Sequence, residues 1–195
     1  LESADREKAV LSAFFKGIKE DVSYGTFLDT IRSYPEIKGK TFAFLGDNSF
    51  SSILLLFILA YQKKTIVLLN PLEDEKLRKE KLNSLPFDGR VKGNQRIPYP
   101  NPKENDNKEA YFYFYTSGTT SSSKAVVLTE ENLCASSYNG SYCLPLTEQD
   151  RFLSLLPLSH VFGFACGSLW PRQCHSTVSL SRGMRFIGED FPPYK

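Results

Sequence analysis

The sequence predicts an α/β fold in which layered sheets are flanked by helices. Short runs of strand-forming apolar residues, such as TFAFL at 41–45 and TIVLL at 65–69, alternate with segments whose apolar residues recur at helical spacing. Turn-forming residues separate the two kinds of segment. Hydrophobic residues make up 41% of the 195 residues and charged residues 24%, which is enough apolar surface for a packed core. The strand–helix alternation indicates a largely parallel sheet.

The first segment, residues 1–86, shows this alternation most clearly. Ser23 is a suitable N-cap for a helix with Phe27, Leu28 and Ile31 at helical spacing. The apolar run at 53–61 is far shorter than the roughly 20 residues needed to cross a membrane, so no transmembrane segment is expected. In order, we predict a helix capped by Ser23, a strand at 41–45, an apolar helix at 51–61, a strand at 65–69 and a charged helix at 73–85.

The next two segments differ from each other in pattern. Residues 87–109 combine prolines with scattered charge and are predicted to form a connecting surface loop. In residues 110–195, Thr129 is predicted to cap a helix, because Glu130 and Glu131 suit the positive end of a helix dipole. The other elements predicted here are strands at 111–115, 125–128, 152–156 and 177–181 and a helix at 160–170.

Charge and cysteine content narrow the classes of partner. The 24 lysine and arginine residues nearly balance the 22 acidic residues, so neither nucleic acid nor an anionic membrane is an expected partner. The cysteines at 134, 143, 166 and 174 form no Cys-x-x-Cys pair of the kind that zinc sites use. We therefore expect free thiols, no protein metal site and a cytoplasmic location.

The stretch from Thr116 to Lys124 is the most informative part of the sequence. It holds seven hydroxyl side chains, one glycine and one lysine in nine consecutive positions, between two predicted strands. Hydroxyl and backbone N–H donors, together with a lysine ammonium, can surround a polyphosphate. A Walker A loop fits poorly, because Ser123 replaces its second glycine, Ala125 replaces its hydroxyl residue and a strand follows. A flexible linker seldom lies between two apolar strands.

Two motifs in the second half of the chain resemble the adenylate-forming (AMP-binding) superfamily. YTSGTTSSSKAVVLTEENL at 115–133 is similar to its phosphate-loop motif, (Y/F)TSGTTGxPKGVxxTHxN. FLSLLPLSHVFGF at 152–164 resembles the next motif, in a form closest to acyl-CoA synthetases of the long-chain fatty-acid–CoA ligase type. The first motif matches at 116–120, Lys124, Val126, Thr129 and Asn132, and departs at Ser121, Ser123, Ala125 and Glu130. With SYGTFLDTI, AFLGDNS and VLLNPLEDEKL upstream, the resemblance covers nearly the whole chain.

The resemblance implies a two-step reaction. A carboxylate attacks the α-phosphorus of ATP to give acyl-AMP and pyrophosphate, and the thiol of CoA or of a carrier protein then takes the acyl group. Mg²⁺ accompanies ATP, and Lys124 stabilises the departing pyrophosphate. His160, Phe162 and Gly163 are expected in the substrate pocket, with His160 as a further catalytic candidate. The implied phosphate contacts are Thr116, Ser117, Gly118, Thr119, Thr120, Ser121 and Lys124.

Serine-nucleophile chemistry at Ser159 and His160 is disfavoured, because adjacent residues at a helix start do not face each other and no Gly-x-Ser-x-Gly motif is present. The resemblance further implies the N-terminal portion of the superfamily's large domain, truncated before its later motifs. We therefore expect the chain not to complete adenylation alone, and to self-associate if truncation exposes apolar surface. A non-catalytic phosphate- or nucleotide-binding module and a purely structural fragment stay open as alternatives.

Overall fold

The computed structural model describes residues 5–15, 18–92, 95–116 and 124–186. Within these ranges, ten strands form one six-stranded and one four-stranded sheet. The strands are β1 (Ala9–Phe15), β2 (Ile18–Ser23), β3 (Thr41–Leu45), β4 (Thr65–Leu68), β5 (Gly89–Lys92), β6 (Gln95–Pro98), β7 (Tyr111–Thr116), β8 (Lys124–Thr129), β9 (Arg151–Ser154) and β10 (Thr177–Leu180). The helices are α1 (Tyr24–Ser33), α2 (Phe50–Tyr61), α3 (Glu75–Asn83), α4 (Glu130–Cys143), α5 (Val161–Phe164) and α6 (Trp170–Gln173), with a π-helical segment at Ala165–Leu169 and a 3₁₀ turn at Met184–Phe186.

Both sheets are parallel at their centres. The six-stranded sheet has the order β6-β5-β3-β4-β7-β8, and only its edge strands β6 and β8 run antiparallel to their neighbours. The four-stranded sheet has the order β2-β1-β10-β9, with β2 as its antiparallel edge. The predicted α/β fold with layered, largely parallel sheets flanked by helices is confirmed.

Side-chain caps fix where helices α1, α2 and α4 begin. Ser23 accepts a hydrogen bond from the backbone N–H of Thr26 at the start of α1, and Ser49 accepts one from Ser52 at the start of α2. Thr129 and Asn132 form a reciprocal capping box at the start of α4. These caps satisfy backbone donors that have no partner inside the helix. No helix in the described part of the chain is both long and apolar enough to cross a membrane.

The structure corrects the interpretation of two segments. The sequence predicts a connecting loop at 87–109, but β5 and β6 pair antiparallel there, so this prediction is wrong for residues 89–92 and 95–98. Val91 is buried between two exposed neighbours, which is the alternation of a strand that covers a core on one face. Pro98 ends an edge strand, where a proline is tolerated. β1 and β2 also form a hairpin, in a segment for which the sequence predicts no element.

One hydrophobic core joins both sheets and contains a chain of aromatic rings. Phe27 of α1 and Phe57 of α2 have ring centres 5.3 Å apart, and Phe57 lies 6.4 Å from Phe164 of α5. Phe164 in turn lies 5.4 Å from Phe112 and 6.2 Å from Phe114, both on β7. Such tilted and edge-on contacts add roughly 0.5–1.5 kcal/mol each beyond burial. Phe164 thereby fixes α5 against β7, and these are two of the elements that carry predicted site residues.

The other face of β7 belongs to a smaller apolar cluster on the α3 side of the sheet. Phe112 and Phe114 are buried in the main core, whereas Tyr113 and Tyr115 pack with Leu82 in the smaller cluster. The alternation in YFYFY predicts one face toward the core and one toward solvent. Both faces of β7 are covered, so the solvent-facing side of this prediction is wrong. This arrangement brings α3 beside the carboxyl end of β7.

A fully buried arginine packs beside aromatic rings of the main core. Arg172 of α6 is 1% exposed, and its Nη1 donates to the carbonyl and to the hydroxyl of Ser168, both at 2.5 Å. Its guanidinium carbon lies 5.2 Å from the Phe57 ring centre and 5.8 Å from that of Phe27. Burial lowers the pKa of Arg172 to about 10, and the nearby Tyr24 hydroxyl partly offsets this. No pattern in the sequence predicts this burial.

Candidate functional site

The two ends of the predicted phosphate loop meet at one point of the six-stranded sheet. Thr116 ends β7 and Lys124 begins β8, and the two residues are direct partners in the antiparallel register. The Thr116 hydroxyl donates to the Lys124 carbonyl oxygen at 3.3 Å, and both residues are exposed. The remaining predicted phosphate contacts lie outside the described residues and stay predictions. They are Ser117, Gly118, Thr119, Thr120 and Ser121.

A cleft of about 300 Å³ brings Thr116 together with His160. It lies at the carboxyl ends of β4 and β7, between α3 and the turn that precedes α5. Ligands of parallel α/β sheets bind in crevices at this edge of the sheet. The cleft is lined by Leu68, Asn70, Glu73, Leu77, Lys81, Tyr115, Thr116, Leu156, Pro157, Ser159 and His160.

His160 has a defined structural role as the N-cap of α5. Its backbone is extended, with φ −100° and ψ 131°, and its Nδ1 accepts a hydrogen bond from the backbone N–H of Phe162 at 3.2 Å. Because Nδ1 is the acceptor, a neutral ring carries its proton on Nε2. His160 can therefore cap the helix through one nitrogen and donate to a ligand in the cleft through the other.

Phe162 and Gly163 lie differently from His160. Phe162 is 58% exposed, whereas Gly163 is buried. A Cβ atom built on Gly163 would lie 2.2 Å from the carbonyl oxygen of Pro157, so the close backbone approach at this point requires glycine. Neither residue belongs to the lining of the 300 Å³ cleft. Their expected contact with substrate stays a prediction.

A buried ion pair forms one wall of the cleft. The sequence does not predict it. The ammonium of Lys81 contacts Oε1 of Glu73, and the two side chains are 9% and 15% exposed. Oε2 of Glu73 is buried with no hydrogen-bond partner among the described residues. The Lys81 ammonium also lies 4.6 Å from the ring centre of Tyr115. In the sequence, Lys81 is one of several lysines and glutamates in a charged helix, and nothing distinguishes it from the exposed ones.

A second, larger cleft of about 770 Å³ separates the carboxyl ends of the two sheets. The side-chain amide of Asn48, after β3, donates to the carbonyl of Leu156, after β9, at 3.0 Å and so links the two sheets. None of the predicted site residues in the described part of the chain lines this cleft. The described ranges also contain no cluster of three histidine, cysteine, aspartate or glutamate residues suited to a metal ion, and the cysteines at 134, 143, 166 and 174 are free thiols.

Comparison with known proteins identifies the family of this chain. The sequence model for AMP-binding enzymes matches residues 43–189, which run from within β3 to beyond β10 and include both ends of the predicted phosphate loop. The chain belongs to the AMP-binding enzyme family. The recognition of this superfamily from the two sequence motifs is thereby confirmed.

Two plant CoA ligases are relatives of this AMP-binding family member. It is 38% identical over 87 residues to a probable CoA ligase, CCL9, of Humulus lupulus, covering 45% of this chain and 17% of the relative. It is 41% identical over 78 residues to the oxalate–CoA ligase of Arabidopsis thaliana, covering 40% of this chain and 15% of the relative. The matched region thus spans about one sixth of the length of these curated relatives. They support the CoA-ligase branch without singling out the long-chain subtype.

Solved structures share the fold of this AMP-binding family member at low identity. The o-succinylbenzoate CoA synthetase MenE of Bacillus subtilis, in complex with an acyl-adenylate, aligns with a TM-score of 0.73 and 20% identity over 94% of this chain and 54% of MenE. MatB of Rhodopseudomonas palustris aligns with a TM-score of 0.71 and 12% identity over 95% of this chain and 45% of MatB. The two-sheet arrangement is therefore the one found in adenylate-forming enzymes.

Proposed function

We propose that this chain supplies the phosphate-binding and carboxylate-facing part of an AMP-forming acid–thiol ligase. The observation that carries the proposal is the junction of Thr116 and Lys124 at the carboxyl end of β7, beside a cleft that also contains His160. Thr116 and Lys124 are the proposed phosphate contacts among the described residues. The residues at 117–121 are proposed phosphate contacts on the basis of the sequence motif alone.

The chemistry of adenylation suits this set of residues. A carboxylic acid is already ionised at neutral pH, so its attack on the α-phosphorus of ATP needs no general base. The reaction instead needs positive charge and hydrogen-bond donors near the phosphates, because an anion attacks an anion and pyrophosphate departs. Lys124 supplies charge and Thr116 supplies a hydroxyl. The Nε2–H of His160 is the proposed donor to the acid.

ATP, Mg²⁺ and a thiol are the proposed ligands. Bacillus subtilis MenE has been solved in complex with ATP and a magnesium ion, and a double mutant of it with the product analogue OSB-NCoA. Mg²⁺ keeps several waters and is bound largely through substrate phosphates, so a cage of protein carboxylates is not required. At the described end of the loop, the Thr116 hydroxyl offers an oxygen ligand for Mg²⁺. CoA, or a carrier-protein thiol, is the proposed acceptor of the acyl group.

An apolar acid is the proposed substrate, with fatty acids as the first class to test. Val161 and Phe162, which directly follow His160, expose apolar side chains with 37% and 58% of their surface accessible. Exposed apolar side chains next to a cleft with a few polar groups are suited to the tail of an acid whose carboxylate lies in the cleft. A cytoplasmic location of the protein is proposed as well, since the reaction uses ATP and CoA.

We also propose that the chain self-associates, and this can be tested separately from the reaction. The edge strand β8 exposes Val126 and Val127 at 43% and 45%. An exposed apolar edge strand is a surface on which a second chain can pair. Sedimentation velocity over a range of protein concentrations tests this directly, since a mass that stays monomeric at high concentration contradicts it.

ATP–pyrophosphate exchange tests the proposed reaction. The chain is incubated with Mg-ATP, labelled pyrophosphate and a panel of acids from oxalate to palmitate, and Mg-ATP binding is measured in parallel. Acid-dependent transfer of label into ATP would show that the chain performs adenylation itself. Binding without exchange would assign it the phosphate-binding part of the reaction. A folded chain that neither binds nor exchanges would contradict the proposal.

A further inference from the structure

Helix α3 contacts the residue from which the predicted phosphate loop departs. The hydroxyl of Tyr115 lies 3.1 Å from the hydroxyl of Ser84, one residue beyond the end of α3. The ammonium of Lys81 lies 4.6 Å from the centre of the same ring. The Tyr115 ring is thus held at its hydroxyl and on its face by two residues that are three positions apart in the sequence.

Lys81 is itself held in place from several directions. Its ammonium pairs with Glu73, and its carbonyl oxygen accepts from Ser84 Oγ at 2.7 Å. Nη1 of Arg78 donates to the carbonyls of Pro71 and Glu73 at 3.1 and 3.2 Å and so fixes the turn that carries the carboxylate. Removing a buried ammonium from its partner charge is strongly unfavourable. The burial of Lys81 therefore restricts its position to the vicinity of Glu73 and Tyr115.

An exposed pair on the same helix provides the contrast. Lys79 and Glu75 form an i, i+4 ion pair at 2.8 Å, with side chains 69% and 68% exposed. Exposed pairs of this kind contribute little and restrict little. Two lysines of one helix, two positions apart, thus occupy opposite environments, and only Lys81 reaches the sheet.

The contact with Tyr115 lies one residue from the base of the loop. Tyr115 is followed by Thr116, whose register partner is Lys124. Tyr115, Thr116, Lys81 and Glu73 all line the 300 Å³ cleft. A displacement of Tyr115 is transmitted to Thr116, because the two residues are covalently linked and a closely packed interior transmits strain.

We propose that Lys81 is a positioning residue for the phosphate site. Through its contact with Tyr115, and with Glu73 as its counter-charge, it holds the carboxyl end of β7 in the conformation from which Thr116 and Lys124 act. Lys81 acts on Tyr115 and not on the phosphates. The effect on phosphate binding rests on the proposed function, whereas the positioning of Tyr115 and Thr116 does not.

Amide hydrogen exchange by NMR tests the positioning in the ligand-free chain. The double substitution Glu73→Gln with Lys81→Met removes both charges and so avoids leaving either one buried without a partner. We expect exchange at Tyr115 and Thr116 to become about tenfold faster, with little change at Phe112 on the same strand. The single substitution Lys81→Arg, which retains the charge and the ring contact, should leave exchange as slow as in the wild type. Lys79→Met should also have no effect. Unchanged exchange at Tyr115 and Thr116 in the double variant would overturn the proposal.

Calorimetric titration of the same variants with Mg-pyrophosphate tests the consequence for binding. We expect the double variant to bind about tenfold more weakly, because a binding residue held in place pays less ordering entropy than a free one. Lys81→Arg and Lys79→Met should bind as the wild type does. Faster exchange with unaltered affinity would overturn the role in phosphate binding. If the wild-type chain does not bind pyrophosphate, the proposed function fails for this chain, and the exchange experiment still decides the positioning.

Discussion

The ring of Phe164 lies 5.4 Å from the ring of Phe112, which joins the helix after His160 to the strand before Thr116 through the core. The second family motif is therefore in direct contact with the strand that leads into the first one, although 52 positions separate Phe112 from Phe164 in the chain. This contact determines how far the His160 cap lies from the end of β7. The residues that position the site are thus partly residues of the core.

Phe164→Ala should destabilise the chain strongly. Phe164 is 2% exposed, and truncating a buried phenylalanine costs about 3–5 kcal/mol. Phe162→Ala is the matched control, because Phe162 lies on the same helix and is 58% exposed. It should change stability by less than about 0.5 kcal/mol. Urea unfolding of both variants measures this, and comparable losses would contradict the described packing of α5.

Gly163→Ala should also destabilise the chain, because the new Cβ would lie 2.2 Å from the carbonyl oxygen of Pro157. We expect a loss of about 1–3 kcal/mol from the resulting backbone shift. Gly140→Ala on α4 is the control, since its Cβ would lie 3.6 Å from the Trp170 ring, an ordinary contact. Alanine there should be neutral or stabilising by up to about 1 kcal/mol. Thermal melts of the pair separate the two cases, and a neutral Gly163→Ala would show that α5 does not approach Pro157 so closely.

His160→Ala should lower stability by about 1 kcal/mol, because α5 loses the side-chain acceptor for the Phe162 N–H. His160→Asn should restore most of that loss, since asparagine is a good N-cap. Urea unfolding of the two variants compares them. If Asn and Ala prove equally destabilising, capping is not what His160 contributes to the fold.

Asp88 should make the chain sensitive to acid. Its carboxylate accepts from the backbone N–H groups of Lys40 and Thr41 at 2.9 and 2.8 Å and of Lys103 at 2.7 Å. Burial acts to raise the pKa of Asp88, but these donors outweigh it and hold the pKa below the ordinary 3.8. A lowered folded-state pKa gives stability that is present above about pH 4 and is lost as the pH falls through the folded-state pKa.

Asp88→Asn tests this pH dependence. At pH 7 the variant should be less stable by about 1–3 kcal/mol, because an amide cannot accept all three bonds and brings its own donors. The difference between variant and wild type should shrink below pH 4, where the wild-type carboxylate becomes protonated. Unfolding curves from pH 2.5 to 7 measure the difference, and one that does not vary with pH would rule out the ionised carboxylate as its source.

Much of the fold could be predicted from local patterns in the sequence. The caps at Ser23 and Thr129 and the alternation of YFYFY are local signals, and each of them corresponds to an observed feature. The hairpin of β5 and β6 could not be predicted, because its strands have four residues each and several prolines follow. β5 depends on its pairing with β3, a strand more than 40 positions away, and the sequence does not display such a pairing.

The site was predictable only in part, for the same physical reason. The hydroxyl-rich loop and the PLSHVFGF run are contiguous motifs, so their residues can be found without the fold. The pair of Lys81 with Glu73 depends on which face of α3 meets the sheet and on where β7 ends. Likewise Arg172 is buried by residues of α1 and α2 that lie more than 100 positions away.

Calorimetric titration of the chain with Mg-pyrophosphate, with Lys124→Ala as its partner, tests the central claim most directly. We expect the wild-type chain to bind and Lys124→Ala to bind at least about tenfold more weakly, because a charge-assisted hydrogen bond is lost. Lys108→Ala, an exposed lysine before the amino end of β7, should bind as the wild type does. Equal binding by wild type and Lys124→Ala, or no binding by a folded wild-type chain, would contradict a phosphate site at the end of β7.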